Sequence, residues 1–211
     1  NALAVDVGQD VTGVDAELSD ASVTVTGRVT DGSGAGIAGI EVVAWDTGRL
    51  SAYSSGLTDG EGYYSIPRLP TCQTKILFNA DRAYLNYANE YYNDKAEYGA
   101  ADAVTLTVGE TPPSIDAVLA GRPALTVTTE SLPAGEQAVG YGWDLTASGG
   151  RTLYHWSLES GALPDGLTLN GRGEISGAPT MSGTFTFTVR VSDSTVPQQI
   201  ATKELSITVA E

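Results

Sequence analysis

Apolar and polar residues alternate in short runs along most of this chain. Val23, Val25 and Val29 alternate with Thr24, Thr26, Arg28 and Thr30, and Phe185, Phe187, Val189 and Val191 with Thr184, Thr186, Thr188 and Arg190. Leu205, Ile207 and Val209 alternate with Ser206 and Thr208. Successive side chains of a strand point to opposite faces. This spacing therefore predicts half-buried strands with one row on a core and one row in water. Threonine and valine suit such a pleated surface. Between the runs lie Asp31-Gly-Ser-Gly-Ala-Gly, Thr58-Asp-Gly-Glu-Gly and Ser148-Gly-Gly, which read as turns. Short strands at this density predict an all-β chain built of sandwiches. One segment departs from the pattern: between Asp81 and Tyr92, the residues Tyr84, Tyr87, Ala88 and Tyr91 share a helical face and predict a helical turn.

A break falls at Gly121-Arg122-Pro123. The stretches on either side each have about the size of one sandwich domain. The organisation expected is a first sandwich over residues 21–121 and a second over 122–211, set end to end with a short linker. Residues 1–20 are a separate matter, because residues 1–19 align without gaps on residues 102–120. Ala2, Val7, Gly8, Asp15, Ala16 and Leu18 match Ala103, Val108, Gly109, Asp116, Ala117 and Leu119, with Val14 on Ile115. Residues 102–120 read as the closing two strands of the first full sandwich. Residues 1–20 are therefore expected to be either the closing strands of a preceding repeat or donor strands exchanged with a neighbouring molecule, since two strands alone are marginal in water. The start, Asn1-Ala-Leu-Ala-Val, lacks the basic and apolar regions of a secretory signal, so that signal has been removed or the chain is a piece of something longer.

Composition narrows the chemistry. The chain has 211 residues with 26 acidic and 11 basic side chains, a formal net charge of -15. Clustered Lys and Arg are what grip phosphates, so nucleic-acid partners and anionic membrane surfaces are disfavoured. No apolar run approaches the ~18 residues that would span a bilayer. One His and one Cys provide neither a His/Cys zinc site nor a disulfide framework within the chain.

The individual candidates for chemistry are weak. Gly34-Ala-Gly-Ile-Ala-Gly39 satisfies G-x-G-x-x-G, yet a dinucleotide site needs a helix next, and Ile40-Glu-Val-Val-Ala-Trp reads as a strand. His155, between Tyr154 and Trp156, has no partner from which to build a hydrolase triad and is read as structural. Cys72 follows Pro70-Thr71 at a strand start and is expected to be buried. Asp59-Gly-Glu61 and the acids between Asp15 and Asp20 are oxygen donors of the kind calcium takes. They lack EF-hand spacing, so solvated turn acids are the favoured reading and no cofactor is expected. The segment Tyr84 to Tyr98 carries five tyrosines at 84, 87, 91, 92 and 98 beside Asn and Asp. Tyr84, Tyr87, Tyr91 and Tyr92 are the candidate ligand-binding residues, as a sugar-stacking platform. The competing reading is a packed loop whose rings cover the sheet. No catalytic residue and no metal ligand is assigned.

Two sets of motifs resemble known families. Val25-Thr-Gly-Arg-Val-Thr-Asp, Gly36-Ile-Ala-Gly-Ile-Glu-Val-Val-Ala, Thr58-Asp-Gly-Glu-Gly-Tyr-Tyr-Ser-Ile and Leu69-Pro resemble the carboxypeptidase-regulatory-like and Cna-B-like (transthyretin-like) domains. Thr71-Cys-Gln departs from the glycine turn such domains often have. Some Cna-B-like domains carry a Lys–Asn isopeptide crosslink. Here Arg28 and Asp116 stand in place of the Lys and Asn, so none is expected. Trp156-Ser-Leu-Glu-Ser-Gly-Ala-Leu-Pro-Asp-Gly-Leu, Gly173-Glu-Ile-Ser-Gly-Ala-Pro-Thr and Gly183-Thr-Phe-Thr-Phe-Thr-Val-Arg-Val-Ser-Asp resemble the putative-Ig, cadherin-like domains of bacterial surface proteins. The fold class implied is all-β, tandem Ig-like and transthyretin-like β-sandwiches. The resemblance implies a non-enzymatic structural or adhesive segment of an extracellular or cell-surface repeat protein: a stalk, adhesin or fibre. Its partners would be neighbouring repeats or identical subunits. The alternative is a glycan- or substrate-binding accessory module of a secreted hydrolase, with surface glycans as partner.

Overall fold

The computed structural model describes residues 22–48 and 51–211. The expectation for residues 1–20 lies outside the described residues.

The N-terminal part forms β1 (Val23–Asp31), β2 (Glu41–Asp46), β3 (Ser51–Leu57), β4 (Tyr63–Leu69), β5 (Cys72–Asn79), β6 (Glu90–Tyr91), β7 (Val104–Leu106) and β8 (Ala117–Leu119). One sheet has the order β4-β1-β8; the other runs β3-β2-β5-β6, with β7 also on β5. The alternation of β1 appears as predicted: Val23, Val25 and Val29 are buried while the intervening Thr24 and Thr26 face water. The turn after β1 is held by the Asp31 carboxylate, which accepts the Ser33 and Ala35 amides at 2.8 and 3.0 Å. Gly34 takes a left-handed φ of 88° there, a conformation glycine adopts without a Cβ penalty. This is the G-x-G-x-x-G segment, and it leads into the strand β2, not into a helix.

Residues 102–120 close this sandwich by strapping both sheets. β7 pairs antiparallel with β5 (Cys72↔Leu106, Thr74↔Val104), and β8 pairs parallel with β1 (Val29↔Ala117, Asp31↔Leu119). Between them, the buried Tyr64 hydroxyl donates to the Ile115 carbonyl at 2.6 Å. The core joins both sheets through Val25, Val42, Ile66, Ile76, Phe78, Leu106, Ile115 and Leu119.

The predicted helical stretch over 81–92 is corrected to a single 3-10 turn, Asp81–Ala83. Asn89 takes the place of a continuing ladder, because its side-chain oxygen accepts the amides of Ala80 and Asp81 at 2.8 and 3.2 Å. Such local side-chain-to-backbone bonds compete with helix. Tyr84 then ends the turn at φ 58°.

The C-terminal part forms β9 (Thr126–Val127), β10 (Gly135–Glu136), β11 (Tyr141–Asp144), β12 (Ala147–Ser148), β13 (His155–Gly161), β14 (Leu167–Leu169), β15 (Glu174–Gly177), β16 (Gly183–Ser192) and β17 (Ile200–Ala210). Its sheets are β10-β17-β16-β13, β11-β15-β14 and β12-β9. β16 and β17 pair over their full alternating runs, from Gly183↔Val209 to Ser192↔Ile200. Their inward rows Phe187, Val189, Val191, Leu205, Ile207 and Val209 meet Trp156, Leu167 and Ile175 in a second core. Trp156 is 3% exposed and sits, as expected, between sheets.

Candidate functional site

The described residues hold no assembled catalytic set, but they do hold a polar joint between the two sandwiches. It begins at Asp81. The side-chain amide of Asn89 donates to Asp81 Oδ2 at 2.7 Å, which orients the carboxylate and leaves Oδ1 free for other donors. Two arginines take it. Arg122, in the linker, reaches Oδ1 through Nη2 at 2.8 Å; Arg151, from the second sandwich, reaches it through Nε at 2.9 Å. Both guanidinium groups are satisfied further. Arg122 Nε donates to the Tyr87 carbonyl at 3.0 Å, and Arg151 Nη1 to Ser194 Oγ at 3.0 Å. The Arg151 guanidinium also lies 4.6 Å above the Tyr84 ring, a cation–π contact.

Backbone bonds surround this cluster. Val196 donates to the Tyr84 carbonyl at 2.7 Å, Arg122 to the Asn86 carbonyl at 3.1 Å, and Ala88 to the Ala120 carbonyl at 2.9 Å. The Gln199 side chain links both sides, donating to Asn86 Oδ1 at 2.8 Å and accepting the Leu125 amide at 3.0 Å. On the far side Asp193 accepts amides from Arg151, Thr195 and Gln199. Burial pushes the Asp193 carboxyl up, but these hydrogen bonds together with that of the Thr195 hydroxyl outweigh it and hold the group below the usual carboxylate range. Sequence reading did not find this joint. The one signal for it is an arginine beside the interdomain proline in a chain poor in basic residues.

The candidate tyrosines are dispersed in role. Tyr84 is half-exposed, with its ring against Arg151. Tyr87 and Tyr92 pack on the first core. Tyr91 meets Tyr98 edge to face, with centroids 5.9 Å apart and planes 75° apart. Lys75 sits 4.5 Å over the Tyr98 ring and donates to the Tyr98 carbonyl at 2.7 Å. The geometry brings Tyr91 and Tyr98 together and leaves Tyr84 at the joint.

Burial pushes the neighbouring Glu90 carboxyl up to about 7, and Asp94 adds repulsion. The folded state thus binds this proton more tightly than the unfolded chain. The stability it lends is complete below pH 4.5 and is lost as pH rises through about 7. Glu90→Gln is expected to flatten this loss, seen as a smaller fall in unfolding midpoint between pH 4.5 and 7.5 in urea titrations.

The remaining candidates stay apart. His155 is exposed at the start of β13, and its Nδ1 lies 3.2 Å from the Trp156 carbonyl rather than near a hydroxyl or carboxylate. It lines a cleft of about 650 Å³ between β13 and β14 together with Leu158, Leu163 and Leu167. Cys72, expected to be buried, is half-buried at the sheet edge, because β7 covers only one side of the strand start; burial and then Asp46 push its thiol up. Asp59 serves as a turn cap, accepting the Glu61 and Tyr63 amides at 3.0 and 2.8 Å. Among the described residues no cluster of three or more His, Cys, Asp or Glu could hold a metal. The acids between Asp15 and Asp20 lie outside the described residues. Arg28 donates its backbone amide to Asp116 at 2.8 Å and its side chain to the Glu61 carbonyl at 2.9 Å. Among the described residues no helix is long and apolar enough to cross a membrane.

No curated protein matches the chain. Among solved structures it is similar to a putative alpha-galactosidase of Bacteroides fragilis, at 26% identity over 41% of this chain and 17% of that one, with a TM-score of 0.35. It is also similar to the Protocadherin GammaB4 extracellular domain, at 14% identity over 91% of this chain and 34% of that one, with a TM-score of 0.39. A third is BcpA, the major pilin subunit of Bacillus cereus, at 11% identity, 90% and 69% coverage and a TM-score of 0.32. The chain thus spans about a third or less of the first two. At these scores the likeness informs neither ligand nor partner. Family models are more direct: residues 24–120 match the carboxypeptidase regulatory-like domain and residues 123–210 the "Putative Ig domain", both non-catalytic module types. The chain is a carboxypeptidase regulatory-like domain followed by a putative Ig domain.

Proposed function

We propose that this chain is a non-enzymatic structural or adhesive segment of a long extracellular repeat protein, a stalk, adhesin or fibre in which it acts as a stiff spacer. The observation that carries this reading is the joint. Arg122 and Arg151 converge on the Asn89-oriented carboxylate of Asp81, and Gln199 and Val196 add bonds across the same boundary. A spacer transmits force only if its domains resist bending at their junctions, and interdomain motion is the default where the contact is sparse. The tyrosines support the same role. Their rings pack on the core, on each other and on Arg151, which leaves no coplanar face for a sugar. The excess of acidic residues keeps neighbouring segments soluble and mutually repelling.

The test is the distance distribution between one label on β3 and one on β16, measured by pulsed electron resonance in chelator. A single narrow distribution, unchanged by calcium, is expected. A broad one, or one that narrows only with calcium, would overturn the proposal.

A further inference from the structure

The strap formed by residues 102–120 defines a slot. Val104 and Leu106 enter the core from the edge of β5, and Ile115, Ala117 and Leu119 enter it from the edge of β1; all five are buried. Gly109 turns between them at φ 88°, and Asp116 Oδ1 accepts the Arg28 amide at 2.8 Å. The gapless alignment of residues 1–19 puts an apolar residue at each buried position. Leu3 and Val5 stand for Val104 and Leu106, and Val14, Ala16 and Leu18 for Ile115, Ala117 and Leu119. Gly8 stands for Gly109 and Asp15 for Asp116, while the exposed Val118 becomes Glu17. The first segment therefore carries each determinant that the slot reads.

It cannot fill the slot of its own molecule. In that register Leu18 would lie beside Asp31, as Leu119 does. Only five residue steps separate Leu18 from Val23, a reach of at most ~18 Å. Val23 and Asp31 are the two ends of β1, eight steps or about 26 Å apart. We infer that residues 1–19 of one chain bind in trans, filling in a second copy the slot that residues 102–120 otherwise occupy. Each copy offers one donor segment and one slot. The contact is therefore head to tail and does not close, giving open oligomers. This deepens the proposed structural role by naming the contact that would link subunits. The resident strap is tethered beside its slot at high effective concentration, so exchange rises with protein concentration and with any weakening of the strap.

The register supplies a specific probe. Cys72, the only cysteine, lies directly opposite Leu106, whose counterpart is Val5. Opposed Cα atoms in an antiparallel pair are about 4.5–5.5 Å apart, within disulfide reach. Under mild oxidation the full chain with Val5→Cys is expected to form disulfides between residue 5 and Cys72 of different chains, identified by peptide mapping. They should yield dimers and trimers that increase with concentration. Adding Leu119→Ala, which weakens the resident strap, should speed this roughly tenfold or more. Ala4→Cys, at the place of the exposed Thr105, should give no link to Cys72, and Leu106→Cys should link to Cys72 within one chain. The inference is overturned if Val5→Cys gives no more linkage to Cys72 than Ala4→Cys while Leu106→Cys links fully. If Leu119→Ala unfolds the first sandwich, Val5→Cys alone at rising concentration decides. The stiffness of the joint is read separately by the label distances, so either idea can fail without the other.

Discussion

Trp156→Ala is expected to cost the second sandwich about 3–5 kcal/mol, the range for emptying a buried aromatic site. Trp156 is 3% exposed, lies opposite Val191 in the β13–β16 ladder and donates its amide to the Gly171 carbonyl at 3.0 Å. The site has little room to collapse. Gly173, at φ 97°, lies against the indole so closely that a Cβ there would sit 2.8 Å from Nε1. A domain of this size has a total stability near the low end of 5–15 kcal/mol, so the variant should lose most of it. At roughly 4–8 °C per kcal/mol, its melting transition should fall by about 15–30 °C. The first sandwich has its own core and should keep its midpoint, so calorimetry should resolve two transitions. Trp143→Ala is the control: that side chain is 42% exposed, and a shift of under about 1 kcal/mol is expected. Equal losses from the two substitutions would show that Trp156 is not the centre of this core.

Asp81→Ala is the second large effect, and it falls on the joint rather than on either core. Hydrogen bonds to charged groups contribute about 1.5–3 kcal/mol each, and Asp81 receives two from arginines. The Asp81 side chain is 38% exposed, so solvent screening reduces their worth to about 2–3 kcal/mol together. The larger consequence is what remains. Arg122 and Arg151, with side chains 23% and 19% exposed, would face each other without the anion that holds them. The distance distribution between labels on β3 and β16 should broaden, while the midpoints of both sandwiches move little. Asp81→Asn keeps one acceptor oxygen and should broaden it less. An unchanged distribution in Asp81→Ala would place the stiffness in the backbone bonds of Tyr84, Asn86 and Ala88 instead.

Much of the fold was legible because a strand with one buried face must alternate, and the chain alternates. The rows Val23/Val25/Val29 and Leu205/Ile207/Val209 are buried where the period placed them. The reading of Tyr84, Tyr87, Ala88 and Tyr91 as a helical face failed for a local reason. Asn89 takes the amides of Ala80 and Asp81, Tyr84 turns left-handed, and Tyr91 enters the β5 edge beside Leu77. A spacing of three and four residues does not distinguish a helix from a loop whose rings fold back on a sheet. Cys72 looked like a core residue by type, yet its place at the start of β5 leaves it half-buried.

The sequence by itself determined the strand content, the family of each sandwich, the buried place of Trp156 and the turn nature of the glycine-rich segment. These follow from relations between near neighbours, where a period of two or a glycine at a turn carries the physics. The tertiary structure alone decided the joint. Asp81, Arg122 and Arg151 are 41 and 29 positions apart along the chain, and no local period relates them. Their convergence depends on how the two sandwiches dock, and docking is set by backbone geometry at the linker and by which polar groups remain unsatisfied there.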